Sequence, residues 1–161
     1  GSTMQFFFDN TGVGEDGATY QQFNARIDSY KQGEDGNKFQ ASCWPNVQGP
    51  EFAKVDEWFH VARTYDAATG AWKVYVDGVQ THDGVHEFGD PAGPFGDLDL
   101  ASPTMNALYI GGWAAIIDGV NNQDWMTFFN GSVDEVRMYN RALTDQEIGQ
   151  LWQQEKLINL E

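Results

Sequence analysis

From Trp58 to Thr81 the chain spells out strand, turn, strand, turn, strand, and this run constrains the fold more than any other. Trp58–Tyr65 alternates in side-chain character. Phe59, Val61, Arg63 and Tyr65 fall on one face, and Trp58, His60, Ala62 and Thr64 on the other. A period of two belongs to an extended strand, not a helix. Asp66–Gly70 supplies turn residues, Trp72–Val76 resumes the strand pattern, and Asp77-Gly78 is a tight-hairpin dipeptide leading into Val79-Gln80-Thr81. An isolated hairpin is barely stable in water, so further strands must bury its apolar side.

Those strands are legible elsewhere. Gln5–Asp9 is apolar and runs into Asn10-Thr11-Gly12 and a glycine- and acid-rich turn to Gly17. Phe23–Tyr30 alternates, with Phe23, Ala25, Ile27 and Ser29 on one face. Glu34-Asp35-Gly36-Asn37 then turns the chain into Lys38–Trp44, and Pro45–Pro50 reads as loop. Residues 82–106 are rich in Gly, Pro and acid and are expected to form a long structured loop. Ala107–Ile110 is a strand, 113–127 a second long loop, and Phe128–Tyr139 the closing strand, interrupted near Asn130-Gly131. Loops of that length inside a compact domain tend to carry function. Thr144-Asp145-Gln146-Glu147 is a capping box, and Ile148, Leu151 and Trp152 follow at i, i+3 and i+4, predicting a helix of about three turns near 144–155 that lies on the sheets. With no linker or internal repeat, residues 1–161 read as one all-β domain with a short C-terminal helix. Residues 1–3 and 160–161 read as vector-derived flanks.

Charge narrows the partners. Twenty-four acidic and nine basic residues give a formal charge of −15 at pH 7. Such a surface repels nucleic acid and anionic membranes and suits neutral polar ligands, divalent cations, or solubility alone. Cys43 is the only cysteine, which excludes an intrachain disulfide, and Phe39 and Trp44 nearby suggest a packed strand residue. No stretch approaches the roughly 20 apolar residues of a membrane-spanning helix.

Four segments in order resemble the laminin G-like, concanavalin A-like family: Trp58-Phe59-His60-Val61-Ala62 with Tyr65-Asp66; Val74-Tyr75-Val76-Asp77-Gly78; Leu108-Tyr109-Ile110-Gly111-Gly112; and Phe129–Leu143. The resemblance covers about residues 38–156. It implies an antiparallel two-sheet jelly-roll sandwich and a binding role on an extracellular or cell-surface protein. It also implies a first block of roughly forty residues that feeds both sheets, where little precedes the Gln5 strand here. Either residues 4–30 replace that block or an edge is left to recruit a second copy, and the expectation leans to a homodimer.

Candidate sites follow from composition and from the resemblance. Trp113 and Trp125 bracket the second loop with Asp118 and Asn121 between them. Aromatic platforms beside oxygen acceptors suit a pyranose, which has an apolar face and a hydroxyl rim; the alternative is that both tryptophans anchor the loop, since Trp is mostly buried. Asp134 shares strand parity with Val136 and Met138. If those two face the core, Asp134 sits inside the strand end and needs a partner, Arg63 or Arg137; the other alternative is that it is exposed. The resemblance implies instead a structural calcium at Asp134, which would require further oxygens from carbonyls or a second acid. The acidic loops around Asp90, Asp97 and Asp99 and around Asp118, Asn122 and Asp124 lack the spacing of a fixed calcium loop. His82 and His86 flank Asp83 in loop and have the residue types for a transition metal, but with no cysteine nearby and a thin partner set the favoured alternative is exposed loop histidines; His60 reads as structural.

Hydrolysis finds no support in the motifs. Sandwich glycanases would place carboxylates as Glu-x-Asp-x-x-Glu or Glu-x-Asp-x-Glu, and neither pattern occurs; adjacent Asp134 and Glu135 would face opposite sides of an extended strand. The expectation is a non-enzymatic carbohydrate-binding or adhesion module of an exported protein. Its alternatives are a structural or protein-interaction domain with no sugar site, or an accessory part of a glycan-degrading enzyme.

Overall fold

The computed structural model describes residues 2–13, 19–32, 38–43 and 46–48 as backbone and strand pairing, and residues 56–85 and 129–158 with their side chains. The first stretches form an antiparallel sheet of four strands: β1 (Ser2–Val13), β2 (Thr19–Gln32), β3 (Lys38–Cys43) and β4 (Asn46–Gln48). β2 pairs β1 along its length and then both β3 and β4. The register sets Phe8, Phe6 and Met4 opposite Phe23, Ala25 and Ile27, and sets Val47 and Cys43 opposite Phe23 and Ile27. Apolar positions therefore meet at one parity across the sheet, as the alternation in Phe23–Tyr30 predicts.

Two boundaries differ from the sequence reading. Asn10-Thr11-Gly12, expected as a turn, lies inside β1, where a register shift between Asp9 and Thr11 absorbs the irregular residues as a bulge. Asn46–Gln48, expected as loop, is a short strand on β2. Ser2 and Thr3 pair with Ser29 and Asp28.

The second sheet is β5 (Val61–Tyr65), β6 (Ala71–Val76) and β7 (Val79–Val85), antiparallel in that order. The β5–β6 turn is closed by the Asp66 backbone, which donates to the Ala71 carbonyl and accepts from Gly70, both at 2.8 Å, while the Asp66 carboxylate takes the Ala68 amide at 2.8 Å. The β6–β7 turn carries φ of 51° at Asp77 and 78° at Gly78, the left-handed pair that a two-residue hairpin requires. Asp77 also prolongs the ladder past β5. Its amide donates to the His60 carbonyl at 2.9 Å and its carboxylate accepts the His60 amide at 3.0 Å. Trp58–His60, expected as strand, lie outside β5, and His60 is held by this turn residue instead of by ladder pairing.

His82–Val85, expected as the start of a loop, belong to β7. Gly84 masked the strand in the sequence. Its place is explained by Trp72 on the paired strand, whose ring covers it so closely that a Cβ there would lie 2.6 Å from Cζ2.

β6 is the core strand of this sheet, with Val74 and Tyr75 fully buried. On one face Val74 and Val76 pack with Phe59, Val61 and Trp72. On the other, Tyr75 packs with Ala62, Leu143, Ile148 and Leu151. That second face is covered by the helix α1 (Asp145–Ile158), longer than expected by three residues at its C-terminal end. Thr144 caps it: Oγ1 accepts the Glu147 amide at 3.2 Å and the Glu147 carboxylate accepts the Thr144 amide at 2.8 Å. Leu143 before the cap and Ile148 in the first turn belong to one apolar cluster, a hydrophobic staple that fixes the helix entry.

The closing strand expected over Phe128–Tyr139 is not formed in residues 129–139, which join no ladder among the described residues. Val136 and Met138, expected in the core, are 59% and 65% exposed. The backbone reason is at Glu135, whose φ of 52° breaks the extended path, with the Asp134 carboxylate capping the Glu135 amide at 2.8 Å. Alternation in sequence tells which side chains share a face, but a strand also needs a partner and an unbroken extended backbone.

Candidate functional site

Two polar constellations sit where α1 meets the second sheet. The first is built on β6 and the helix start. Tyr75 is buried to the ring, and its hydroxyl emerges at the N-terminal turn of α1, donating to Asp145 Oδ1 at 2.7 Å. Lys73, two residues earlier on the same face, reaches the same oxygen at 2.7 Å. These two donors hold the Asp145 carboxyl below the usual carboxylate range, Lys73 contributing most. Burial and the bond to Asp145 push the Tyr75 phenol up to about 12. An open cleft of about 460 Å³ lies over this network, with Thr64, Asp66, Lys73, Thr144 and Asp145 among its walls.

The second is built on the β6–β7 hairpin and the end of α1. His60 lies between Asp77 and the helix, its ring stacked on Trp152 with centroids 6.1 Å apart. Its Nε2 is 3.8 Å from Glu155. Glu155 also accepts from Arg137 at 2.7 Å, and the other arm of Arg137 holds Glu135 at 2.7 Å. Lys156 lies 6.0 Å from the Trp152 ring centre. Burial lowers the His60 pKa against the opposing pull of Glu155 and Asp77. Trp152 can approach because residue 78 is glycine: a Cβ there would lie 2.8 Å from Trp152 Cδ1.

Chemically, these arrangements fasten. Asp66 and Asp145 both line the cleft, but Asp66 caps its own turn and Asp145 is neutralised by Lys73. A general acid for glycoside cleavage needs a raised pKa, and Asp145 is shifted the opposite way.

The sequence-derived sugar residues Trp113, Asp118, Asn121 and Trp125 lie outside the described residues, as does His86. Asp134 is described and exposed. Of the alternatives for it, exposure holds and the inward position does not, since Val136 and Met138 are exposed with it and Arg137 pairs with Glu135 and Glu155. Among the described residues no group of three or more His, Cys, Asp or Glu could hold a metal ion, so a calcium at Asp134 would need oxygens other than those side chains. His82 sits on β7, with Nδ1 3.0 Å from Thr81 Oγ1. The two fastening constellations were not legible in the sequence, because Lys73 and Asp145, or Asp77 and Trp152, are separated by about half the chain and no local pattern links them.

Residues 1–149 match the family profile of the concanavalin A-like lectin/glucanases superfamily, in its laminin G group. The chain belongs to that superfamily. For a superfamily domain the match is broad. It takes in the N-terminal strands as well as the segments from Lys38 onward, so β1 and β2 fall within the family's own extent. Membership implies a β-sandwich and a lectin-like or binding module, and the superfamily's name spans both lectins and glucanases. An S-layer domain-containing protein of Clostridium thermocellum, solved over its residues 221–444, is similar at 18% identity and a TM-score of 0.41. That similarity covers 92% of this superfamily domain and 63% of the other chain. No curated protein matches it. Among its described residues no helix is long and apolar enough to cross a membrane.

Proposed function

We propose that this domain is a non-catalytic carbohydrate-binding or adhesion module of an exported protein, its two sheets packed as a jelly-roll sandwich. The match of residues 1–149 to a lectin/glucanase superfamily carries the reading. Two observations weigh it toward binding. The sequence lacks the spaced carboxylate pattern of sandwich glycanases, and the Asp145 carboxyl at the described cleft has its pKa lowered by Lys73 and Tyr75, not raised as a general acid needs. The strongly acidic surface favours a neutral polar ligand over nucleic acid or an anionic membrane.

In this reading Trp113 and Trp125 offer ring faces to a sugar while Asp118 and Asn121 accept from its hydroxyls. Apolar and aromatic walls with a few placed polar groups are the usual construction of a small-ligand site. Asp134 would contribute to a structural calcium only with oxygens from beyond the described residues. A second copy of the chain is proposed as a partner, through an unpaired strand edge.

A glycan array probed with the domain and with Trp113→Ala and Trp125→Ala tests the reading. Selective signals that both substitutions abolish, with unchanged melting temperature, are expected. An empty array would move the domain to the protein-interaction class.

A further inference from the structure

We propose that Asn130 is a site of spontaneous covalent modification, deamidating through a cyclic imide formed with Gly131. Asn130-Gly131 is the only Asn-Gly pair in the chain. The reaction needs the backbone nitrogen of the following residue to reach the asparagine carboxamide carbon. Glycine, with no Cβ, leaves that approach open.

The local structure removes the usual protections. Asn130 and Gly131 are both exposed and lie in neither helix nor strand. Among the described residues neither the Asn130 carboxamide nor the Gly131 amide takes part in a hydrogen bond. No ladder bond must break for the two groups to rotate into line; the close neighbour is the exposed Phe129 ring, 2.7 Å from where a Gly131 Cβ would lie, which must swing aside.

The Asp-Gly pairs of the described region show what protection looks like. Asp77-Gly78 is fixed by both bonds between Asp77 and His60. Asp83-Gly84 lies in β7, where the two residues pair with Lys73 and Trp72 of β6. Each also carries a carboxyl group, a poorer electrophile for imide closure than a carboxamide.

In the step itself, the deprotonated Gly131 nitrogen bonds to Asn130 Cγ and ammonia leaves, closing a five-membered imide. Water then opens the imide at either carbonyl. One opening gives aspartate, and the other gives isoaspartate with an extra methylene in the main chain. The sum is asparagine plus water to an acid plus ammonia, with no oxidant or reductant. The product adds a negative charge four residues before Asp134 and, as isoaspartate, lengthens the backbone at the entry to the 131–144 segment that leads into α1.

The test is peptide mapping of the intact domain aged in mildly alkaline buffer at physiological temperature, beside the free peptide Phe128–Arg137. Conversion at Asn130 is expected to proceed within about threefold of the peptide rate, since an unprotected segment opens at almost no free-energy cost. It should rise with pH and yield both aspartate and isoaspartate, the latter accepting methyl groups from an isoaspartyl methyltransferase. Asn130→Gln should abolish the methyl-accepting signal from this peptide while leaving the melting temperature unchanged. Conversion more than about tenfold slower than the peptide would show that the native fold protects the pair, and aspartate alone would exclude the imide route; either result overturns the proposal.

Discussion

The His60 ring stacks on the Trp152 ring at 6.1 Å with the planes inclined by 29°, joining the start of the central hairpin to the last turns of the C-terminal helix. The contact spans residues more than half the chain apart, and the groups around it include a potential charge. Burial lowers the His60 pKa from its ordinary 6.5, with Glu155 and Asp77 pulling upward and Arg137 downward. A base whose folded pKa lies below its unfolded value binds fewer protons when folded. The stability it contributes is present above pH 6.5 and is lost as the pH falls from there toward the folded pKa. The melting temperature should therefore decline on mild acidification. His60→Phe, which keeps a stacked ring without a proton to bind, should flatten that part of the curve. Parallel curves for the two proteins would mean that other groups set the dependence.

A second acid transition belongs to the helix cap. Arg141, then the Thr144 amide, hold the Glu147 carboxyl down at about 2 against an ordinary 4.5. A depressed carboxyl contributes stability above its unfolded value that is lost as the pH falls toward the folded one, here between 4.5 and about 2. Glu147→Gln should remove this segment of the pH–stability curve and leave the His60 segment intact. Helicity followed by circular dichroism across both windows would separate them.

Thr144→Ala should cost about 1 kcal/mol, because the Glu147 amide loses its acceptor while the reciprocal bond to the Thr144 amide stays. Chemical denaturation should show the midpoint falling at constant slope. An unchanged midpoint would mean that Arg141 and the Leu143–Ile148 staple hold the helix start without the hydroxyl.

Gly78→Ala combines two penalties. A non-glycine residue at a φ of 78° costs about 1–2 kcal/mol, and the added methyl would lie 2.8 Å from Trp152, so the helix must also shift. The fall in melting temperature should exceed that of Gly149→Ala on α1 itself, where the added atom meets nothing nearer than 3.8 Å. Equal effects would show that Trp152 yields freely.

The parts of the fold readable from sequence were those set by local chemistry. Asp77-Gly78 dictates its own turn, Thr144–Glu147 its own cap, and the spacing of Ile148 and Leu151 its buried stripe. Face assignments held across β5 and β6, since Val61 pairs with Val76 and Ala62 with Tyr75 as alternation requires. What failed depended on distant partners or a single dihedral. Gly84 is acceptable in a strand only because Trp72 covers it. Val136 and Met138 alternate as a buried strand would, yet Glu135 turns the backbone through a left-handed conformation that composition does not announce. The inward position expected for Asp134 rested on that alternation and fell with it. The sugar residues Trp113, Asp118, Asn121 and Trp125 remain a reading of loop composition.

Titration calorimetry with an array-selected oligosaccharide, followed by product analysis of the same sample, separates binding without cleavage from hydrolysis. Saturable heat that Trp113→Ala and Trp125→Ala remove is expected, with the oligosaccharide recovered intact after prolonged incubation. Shortened products from the wild-type domain, or no saturable heat with any glycan, would contradict binding without cleavage.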